Sequence, residues 1–381
     1  MLLEVFSKET RERIDLVRVY DYAQYTEQFN DVGAFEIDVP YIEKSLPSLV
    51  RGNFVLLDDG VLGMITSLKQ EVGEKANVIV RGFLVKKILE RRSFLKTTNY
   101  KDTITNVVRA MVNDLCITNS DQRRNIDFIK LSEDAQYIPS ADQVTTQVTG
   151  DRLEDKIKEL LHTIDYGHDL VPNIIKYNES SDKPTNIASL EFRVLKPQDR
   201  TIRNTLGNTP VVFSLELNNL ANFIYESDES DYYNVAIVAG EGEGVARTLA
   251  EAGNTEASGL DRIEWYVDAR DLQSELEDGT VLTTEQYNAL LRQRGNERLQ
   301  EHKVFTLCEG SIVEGDINYK YKEDFNIGDW VSIIDEQLNL QLDVQITEVT
   351  KISLQGGERI DVTFGYDRST VRELLKKRGV L

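Results

Sequence analysis

The sequence predicts a mixed α+β fold dominated by strands, and three observations carry that prediction. Apolar and polar residues alternate with period two along many short segments, as strands with one buried face require. Stripes with helical period are few. Turn formers such as Asp58-Asp59-Gly60 and Gly356-Gly357 punctuate the alternating runs.

Phe35, Ile37 and Val39 alternate with Glu36 and Asp38, which predicts an early strand. Over 101–116, Ile104, Val107, Val108, Met111, Val112 and Leu115 form one apolar helical stripe. Cys116 ends it and is expected to be a buried thiol. A second helix is predicted over 152–164 from Leu153, Ile157, Leu160, Leu161 and Ile164, with Asp151 and Glu154 at capping-box spacing. Residues 177–187 read as an exposed loop. Val211, Phe213, Leu215 and Leu217 alternate as in a strand. Loops rich in Glu, Gly, Asn and Thr are expected at 245–260 and 273–284.

A third helix is expected from about Thr284 to His302, with Thr283 and Gln286 as a capping box and Gly295 weakening its middle. Strands return with Ile317, Tyr319 and Tyr321, with Leu340, Leu342, Val344 and Ile346, and with Ile360, Val362, Phe364 and Tyr366. TVRELLKKRGV reads as a short terminal helix stopped at Gly379. Residues 52–83 and 328–365 echo one another as a Gly-led hairpin, alternating strands and a closing Gly, a pattern that two related barrels would produce.

At 381 residues the chain has room for two to four domains. Its 65 acidic and 44 basic side chains leave a formal charge of −21. That balance argues against specific nucleic-acid binding and against anionic membrane surfaces, both of which call for a basic face. Negative walls suit a pore through which DNA slides, and acidity also serves solubility alone. Cys116 and Cys308 do not make a disulfide framework, so the chain reads as made in a reducing cytosol. The N-terminus is not a signal peptide, and no apolar run is long enough to span a bilayer, so no membrane insertion is expected.

Candidate chemistry is sparse. His162 and His168 lie near Asp165 and Asp169, but their spacing does not put two ligands on one helical face, and no metal is expected. Neither a G-x-S-x-G elbow nor an H-E-x-x-H pair is present. VAIVAGEGEGVAR leads a strand into Gly240, Gly242 and Gly244 with spacing G-x-G-x-G, and Glu241 and Glu243 would repel a phosphate. These glycines are expected to form a structural loop, with no cofactor. No catalytic residue is assigned. Lys86, Lys87, Arg91, Arg92 and Lys96, and again Lys376, Lys377 and Arg378, read as solvated basic faces with docking as the minor reading.

Taken in order, several segments resemble siphophage tail-hub proteins. YDYAQYTEQFNDVGAFEIDVP resembles their first hairpin, and GMITSL with NVIVRGFLVKKILERR their barrel-closing strand and following helix, with Leu84 where many relatives carry Asp. VVFSLELNNLANFIYESDESDYYNVAIVAGEGEGVAR resembles the crossing into their second barrel. GLDRIEWYVDARDL and QYNALLRQRGNERLQEH resemble their helical insertion. YKYKEDFNIGDWVSII, ITEVTKI and RIDVTFGY resemble their final barrel.

The resemblance implies two tube-like β-barrel domains, with an α/β domain inserted between them and a small helical insertion in the second. The first barrel would span 1–95, completed by about 211–226, and the α/β domain 96–210. The second barrel would take 227–245 and 303–381, around a helical insertion at 246–302. It further implies a homotrimer that rings a DNA channel at the virion tail tip, made in the host bacterial cytoplasm. The implied partners are the distal tail protein, the tape-measure protein and a receptor-binding or fibre protein. The chain ends soon after RIDVTFGY, so the lytic or fibre extension of larger relatives is expected to be absent. The competing readings are a tail enzyme that degrades polysaccharide or peptidoglycan, the hub of a phage-tail-like injection particle, and a receptor-binding module.

Overall fold

A computed structural model describes residues 3–58, 60–72, 76–132, 143–177, 184–275, 281–300, 302, 305–313, 319–354 and 357–365. Asp59, Ile317, Gly356, Tyr366, Lys376, Lys377, Arg378, Gly379 and the terminal helix expected around them lie outside the described residues. The chain divides into two compact units, one of Met1–Ile224 and Cys308–Leu381, the other of Tyr225–Leu307.

The larger unit opens with seven strands: β1 (Leu3–Phe6), β2 (Arg13–Val17), β3 (Tyr22–Gln28), β4 (Ala34–Pro40), β5 (Phe54–Asp58), β6 (Val61–Val72) and β7 (Ala76–Leu84). A 3-10 helix over Val85–Arg91 follows. Next come β8 (Thr98–Thr103), helix α1 (Ile104–Val112), a wider turn of helix through Ile117, β9 (Ile129–Leu131), β10 (Gln143–Val148), helix α2 (Leu153–His162), β11 (Gly167–Ile175) and β12 (Asn186–Leu195). The chain continues through β13 (Val212–Ser214) and β14 (Leu220–Asp228). The smaller unit holds β15 (Val235–Ala239), β16 (Leu249–Gly253), β17 (Glu264–Asp268) and helix α3 (Thr284–Gln300). The last strands are β18 (Phe305–Ile312), β19 (Trp330–Asp335), β20 (Leu340–Leu354) and β21 (Gly357–Gly365).

Thirteen strands form one sheet in the order β14-β18-β21-β20-β3-β4-β7-β6-β5-β1-β2, with β13 and β19 branching from β20. The long β20 makes the branch. Its first half pairs with β19, and beyond a bulge between Ile346 and Glu348 its second half pairs with both β21 and β3. The β3–β20 ladder runs from Gln28↔Glu348 to Tyr22↔Leu354 and joins the N-terminal strands to the C-terminal ones. Among the described residues these pairings follow an open path. Residues 212–214 and 220–224 sit on the C-terminal strand set, because β13 runs parallel to β19 and β14 pairs with β18.

β1, β5 and β6 bury both faces, which is why Phe54-Val55-Leu56-Leu57 is an unbroken apolar run. One face, with Phe6, Phe54, Leu56, Leu62 and Met64, shares a core with α1, α2 and the strands of the α/β segment. The other, with Leu3, Val5, Val55, Leu57 and Ile65, packs among Tyr25, Phe35, Ile37 and Val39. The α/β segment therefore shares its core with the sheet. Cys116 is fully buried there, and burial pushes its thiol up to about 11.

Three local expectations are revised. Only Val212–Ser214 of the 211–217 alternation is a strand, since the Asn219 amide donates to Val212 O at 2.8 Å and accepts from Ser214 N at 2.9 Å, folding the next residues into a turn. Tyr319 and Tyr321 lie in a turn, closed by Lys320 N donating to Asp324 Oδ2 at 2.8 Å. The capping box at Asp151 does not form: Asp151 accepts from Thr149 N, and Glu154 turns inward.

In the smaller unit β15 pairs antiparallel with β16 and parallel with β17, and α3 packs on one face through Tyr287, Leu291 and Leu299. Thr283 and Gln286 do form the expected capping box, at 2.9 and 3.3 Å. Gly295 marks the closest approach of helix to sheet, because a Cβ there would stand 2.7 Å from Ala252 Cβ and Val238 Cγ2. Gly295→Leu is expected to destabilise this unit by about 2–3 kcal/mol through overpacking, despite the better helix propensity. Thermal unfolding followed by the fluorescence of Trp265, which lies in this unit, checks it.

Candidate functional site

Alternation along β3, β20, β21, β18 and β14 lays a polar surface across neighbouring strands. Each row crosses them with hydrogen-bonding side chains. Gln28 Nε2 donates to Glu348 Oε2 at 2.9 Å, and the hydroxyls of Thr26 and Thr350 meet at 2.8 Å. Ser311 Oγ donates to Asp361 Oδ1 at 2.6 Å, and the Arg359 guanidinium holds the other oxygen of Asp361 at 2.8 Å. This surface forms an open trough of about 450 Å³ whose carboxylates are Glu309, Glu348 and Asp361 and whose one cation is Arg359. Hydroxyls and carboxylates already bonded to one another leave a net negative wall with little to grip a phosphate.

Beneath the opposite face lies a buried ionic cluster. The apolar side of Val85–Arg91 carries Lys86, which is 4% exposed and donates to the carbonyls of Gln28 at 3.2 Å, His168 at 3.3 Å and Phe29 at 3.5 Å. His168, on β11, shares its Nε2 with both Glu154 oxygens at 2.9 and 3.0 Å, and both residues are buried. Burial opposes ionisation of Glu154, but His168 and then the Lys86 ammonium outweigh it and hold the carboxyl below its usual range. Burial lowers the pKa of Lys86, against the pull of Glu154, Asp169 and Asp31. The cluster ties the 3-10 helix, α2, β11 and the end of β3 together.

The sequence assigned these three residues elsewhere. Lys86 is core and not a solvated basic face: it is 4% exposed, and its ammonium is directed at three backbone carbonyls. Glu154 was legible as an inward residue, since it stands with Ile157 and Leu161 at i, i+3 and i+7 on the apolar stripe. His162 is exposed at the end of α2 and apart from buried His168. Among the described residues no group of three or more His, Cys, Asp or Glu is placed to hold a metal ion.

Gly240, Gly242 and Gly244 follow β15 and form a fastened loop. Tyr287 accepts from Glu241 N at 2.7 Å and donates to Leu272 O at 2.7 Å, passing where a Cβ on Gly240 would lie 2.5 Å from its hydroxyl. The Glu241 carboxylate accepts from the amide and hydroxyl of Ser274 at 3.1 and 2.7 Å. Arg247 donates to the carbonyls of Gly240 and Ala239, each at 2.9 Å, and pairs with Asp268. Arg270, joined by Arg247, holds the Asp268 carboxyl down at about 2. The loop is thus tied to its own chain through Gly240, Glu241 and Arg247.

A family model described as Siphovirus ReqiPepy6 Gp37-like protein matches residues 2–366. Three solved structures share the fold. A tail protein from Neisseria meningitidis MC58 superposes with a TM-score of 0.57 at 10% identity over 96% of each chain. The 43 kDa tail protein of prophage MuSo2 from Shewanella oneidensis gives 0.56 at 10% identity, over 96% of this chain and 98% of that one. Prophage tail protein gp18 from Listeria monocytogenes EGD-e gives 0.51 at 12% identity over 98% of each. No curated protein matches the chain.

Proposed function

Because this chain belongs to the family of Siphovirus ReqiPepy6 Gp37-like proteins, we propose that it is a structural hub protein of a siphophage tail tip. In this reading three copies form a ring between the tail tube or distal tail ring and the host-binding apparatus. The two strand sets of the larger unit play the part of two tube-like barrels per subunit, so three subunits approximate sixfold symmetry. The distal tail protein, the end of the tape-measure protein and a receptor-binding or fibre protein are its neighbours. DNA passes through the ring without specific binding.

The carrying observation is the family match over 2–366 together with a fold shared, over nearly full length, with three tail proteins, two of them from prophages. The polar trough supports a channel role: its wall has three carboxylates and one cation, on a chain of formal charge −21. The glycine loop of Gly240, Gly242 and Gly244 serves this reading as a fixed structural turn. Mass measurement by light scattering, with negative-stain imaging, tests the proposal. A threefold ring with an open centre is expected, and a stable monomer at micromolar concentration overturns it. Clearing of cell walls or glycan in a zymogram would instead favour the enzymatic reading.

A further inference from the structure

We propose that copies of this chain meet head to tail, an acidic tip bearing Leu217 and Leu338 on one copy fitting the arginine-rimmed patch around Leu95 on the next. The inference rests on the ring reading above and names the surfaces through which its copies touch.

Two tight turns of the larger unit build the tip. Asn218 N donates to Leu215 O at 3.1 Å in one, and Asn339 N to Glu336 O at 3.3 Å in the other. Asn218 and Asn339 both take left-handed backbone angles, which asparagine tolerates. The Glu216 carboxylate ties the turns together by accepting from Glu336 N at 3.3 Å. Leu217 and Leu338 are thereby held outward, 58% and 61% exposed, with Leu215 exposed beside them. Neither Glu216 nor Glu336 pairs with a cation among the described residues. An exposed apolar cluster with unpaired carboxylates, fixed in place by turns, has the character of a contact surface.

The second surface lies on the loop after the 3-10 helix and on two segments bonded to it, 121–124 and 149–152. Arg92 donates to Arg124 O at 2.8 Å, Arg124 donates to Ser93 O at 2.6 Å, and Ser93 pairs with Arg152 in an isolated bridge. Leu95 stands 73% exposed beside them, followed by exposed Lys96. The charges here do not cancel. Glu90 is shared by Lys87 at 2.7 Å and Arg152 at 3.9 Å, and Asp121 is held by Arg123 at 2.8 Å. Asp151 is the remaining carboxylate of these segments. Against it stand Arg91, Arg92, Lys96 and Arg124, none of which pairs with a carboxylate among the described residues. The surplus is positive, on a chain of formal charge −21.

Each surface offers what the other lacks: exposed leucine on both, with charge of opposite sign around it. A contact between two different patches of identical chains is heterologous, and such contacts close into a ring when the rotation allows. Strongly acidic copies otherwise repel, so a local match of opposite surpluses both overcomes that repulsion and fixes the register. A polyanion on the arginine patch would leave Leu95 and the acidic tip without a role.

The test reverses each surface in the full chain. Glu336→Lys with Gln337→Lys reverses the tip, and Lys96→Glu with Arg152→Glu reverses the patch. All four side chains are exposed, so the thermal transition is expected to stay unchanged. By analytical ultracentrifugation, each reversal alone is expected to raise the dissociation constant of the ring at least about tenfold. Both reversals on one chain are expected to restore it, because every contact then has its signs exchanged. A ring that tolerates either reversal, or that the combined chain does not re-form, overturns this inference and leaves the ring reading standing. A monomeric parent chain overturns both. Saturable binding of duplex DNA that the patch reversal abolishes also overturns the inference, since the patch would then serve nucleic acid.

Discussion

Lys86→Met is expected to lower the unfolding free energy of the larger unit by about 3–5 kcal/mol, the range for removing one partner from a buried ionic group. Methionine nearly matches the lysine stem in volume, so the loss isolates the ammonium. Three carbonyls, of Gln28, Phe29 and His168, lose their donor together, and Glu154 loses a nearby positive charge. Lys87→Met is the internal control. Lys87 is 32% exposed and pairs with Glu90 at i, i+3, so its loss should cost no more than about 0.5 kcal/mol. Urea unfolding followed by Trp330 fluorescence in a Trp265→Phe background reports on the larger unit alone, because the chain has two tryptophans, one in each unit. Equal losses in the two variants would show that Lys86 acts only as a surface cation.

Phe213→Ala is expected to cost about 3–5 kcal/mol by the same measurement. Phe213 is fully buried on the short β13 and meets the rings of Phe325 at 5.4 Å, Phe364 at 5.5 Å and Tyr319 at 5.8 Å. Those rings come from the turn at 319–325 and from β21, which the backbone pairing of β13 does not reach. Truncation leaves a cavity bounded by three aromatics held on two separate elements, so collapse around it is incomplete. Phe223→Ala, on β14 outside this group of rings, should cost clearly less. A loss below about 1.5 kcal/mol for Phe213→Ala would mean that the rings close over the gap.

The strands were legible wherever one face meets water, because polar residues then mark every second position. β4, the first half of β20 and β21 are instances. Helices α1 and α2 were legible from their apolar stripes. α3 was found through its capping box, for its sequence carries almost no amphipathic signal, and the reason is Gly295. The helix contacts its sheet through a glycine at the closest point, so among the described residues only Tyr287, Leu291 and Leu299 mark its buried side. The strand pairings between distant segments were beyond sequence reasoning, since alternation fixes which face is buried and leaves the partner open. The ionic cluster was missed for a related reason. Lys86 and Glu154 are polar residues in apolar stripes, and only His168, brought alongside by β11, shows what they are for.

The single long strand β20 also has a mechanical consequence. Backbone bonds along its second half, from Gln28↔Glu348 to Tyr22↔Leu354, lie across the direction in which the two strand sets would slide past one another. A pull along the strand axis loads them all at once, where a pull at right angles would open them in succession. Pulled apart from its two ends, the larger unit would therefore resist tension up to a sharp limit and then yield in one step.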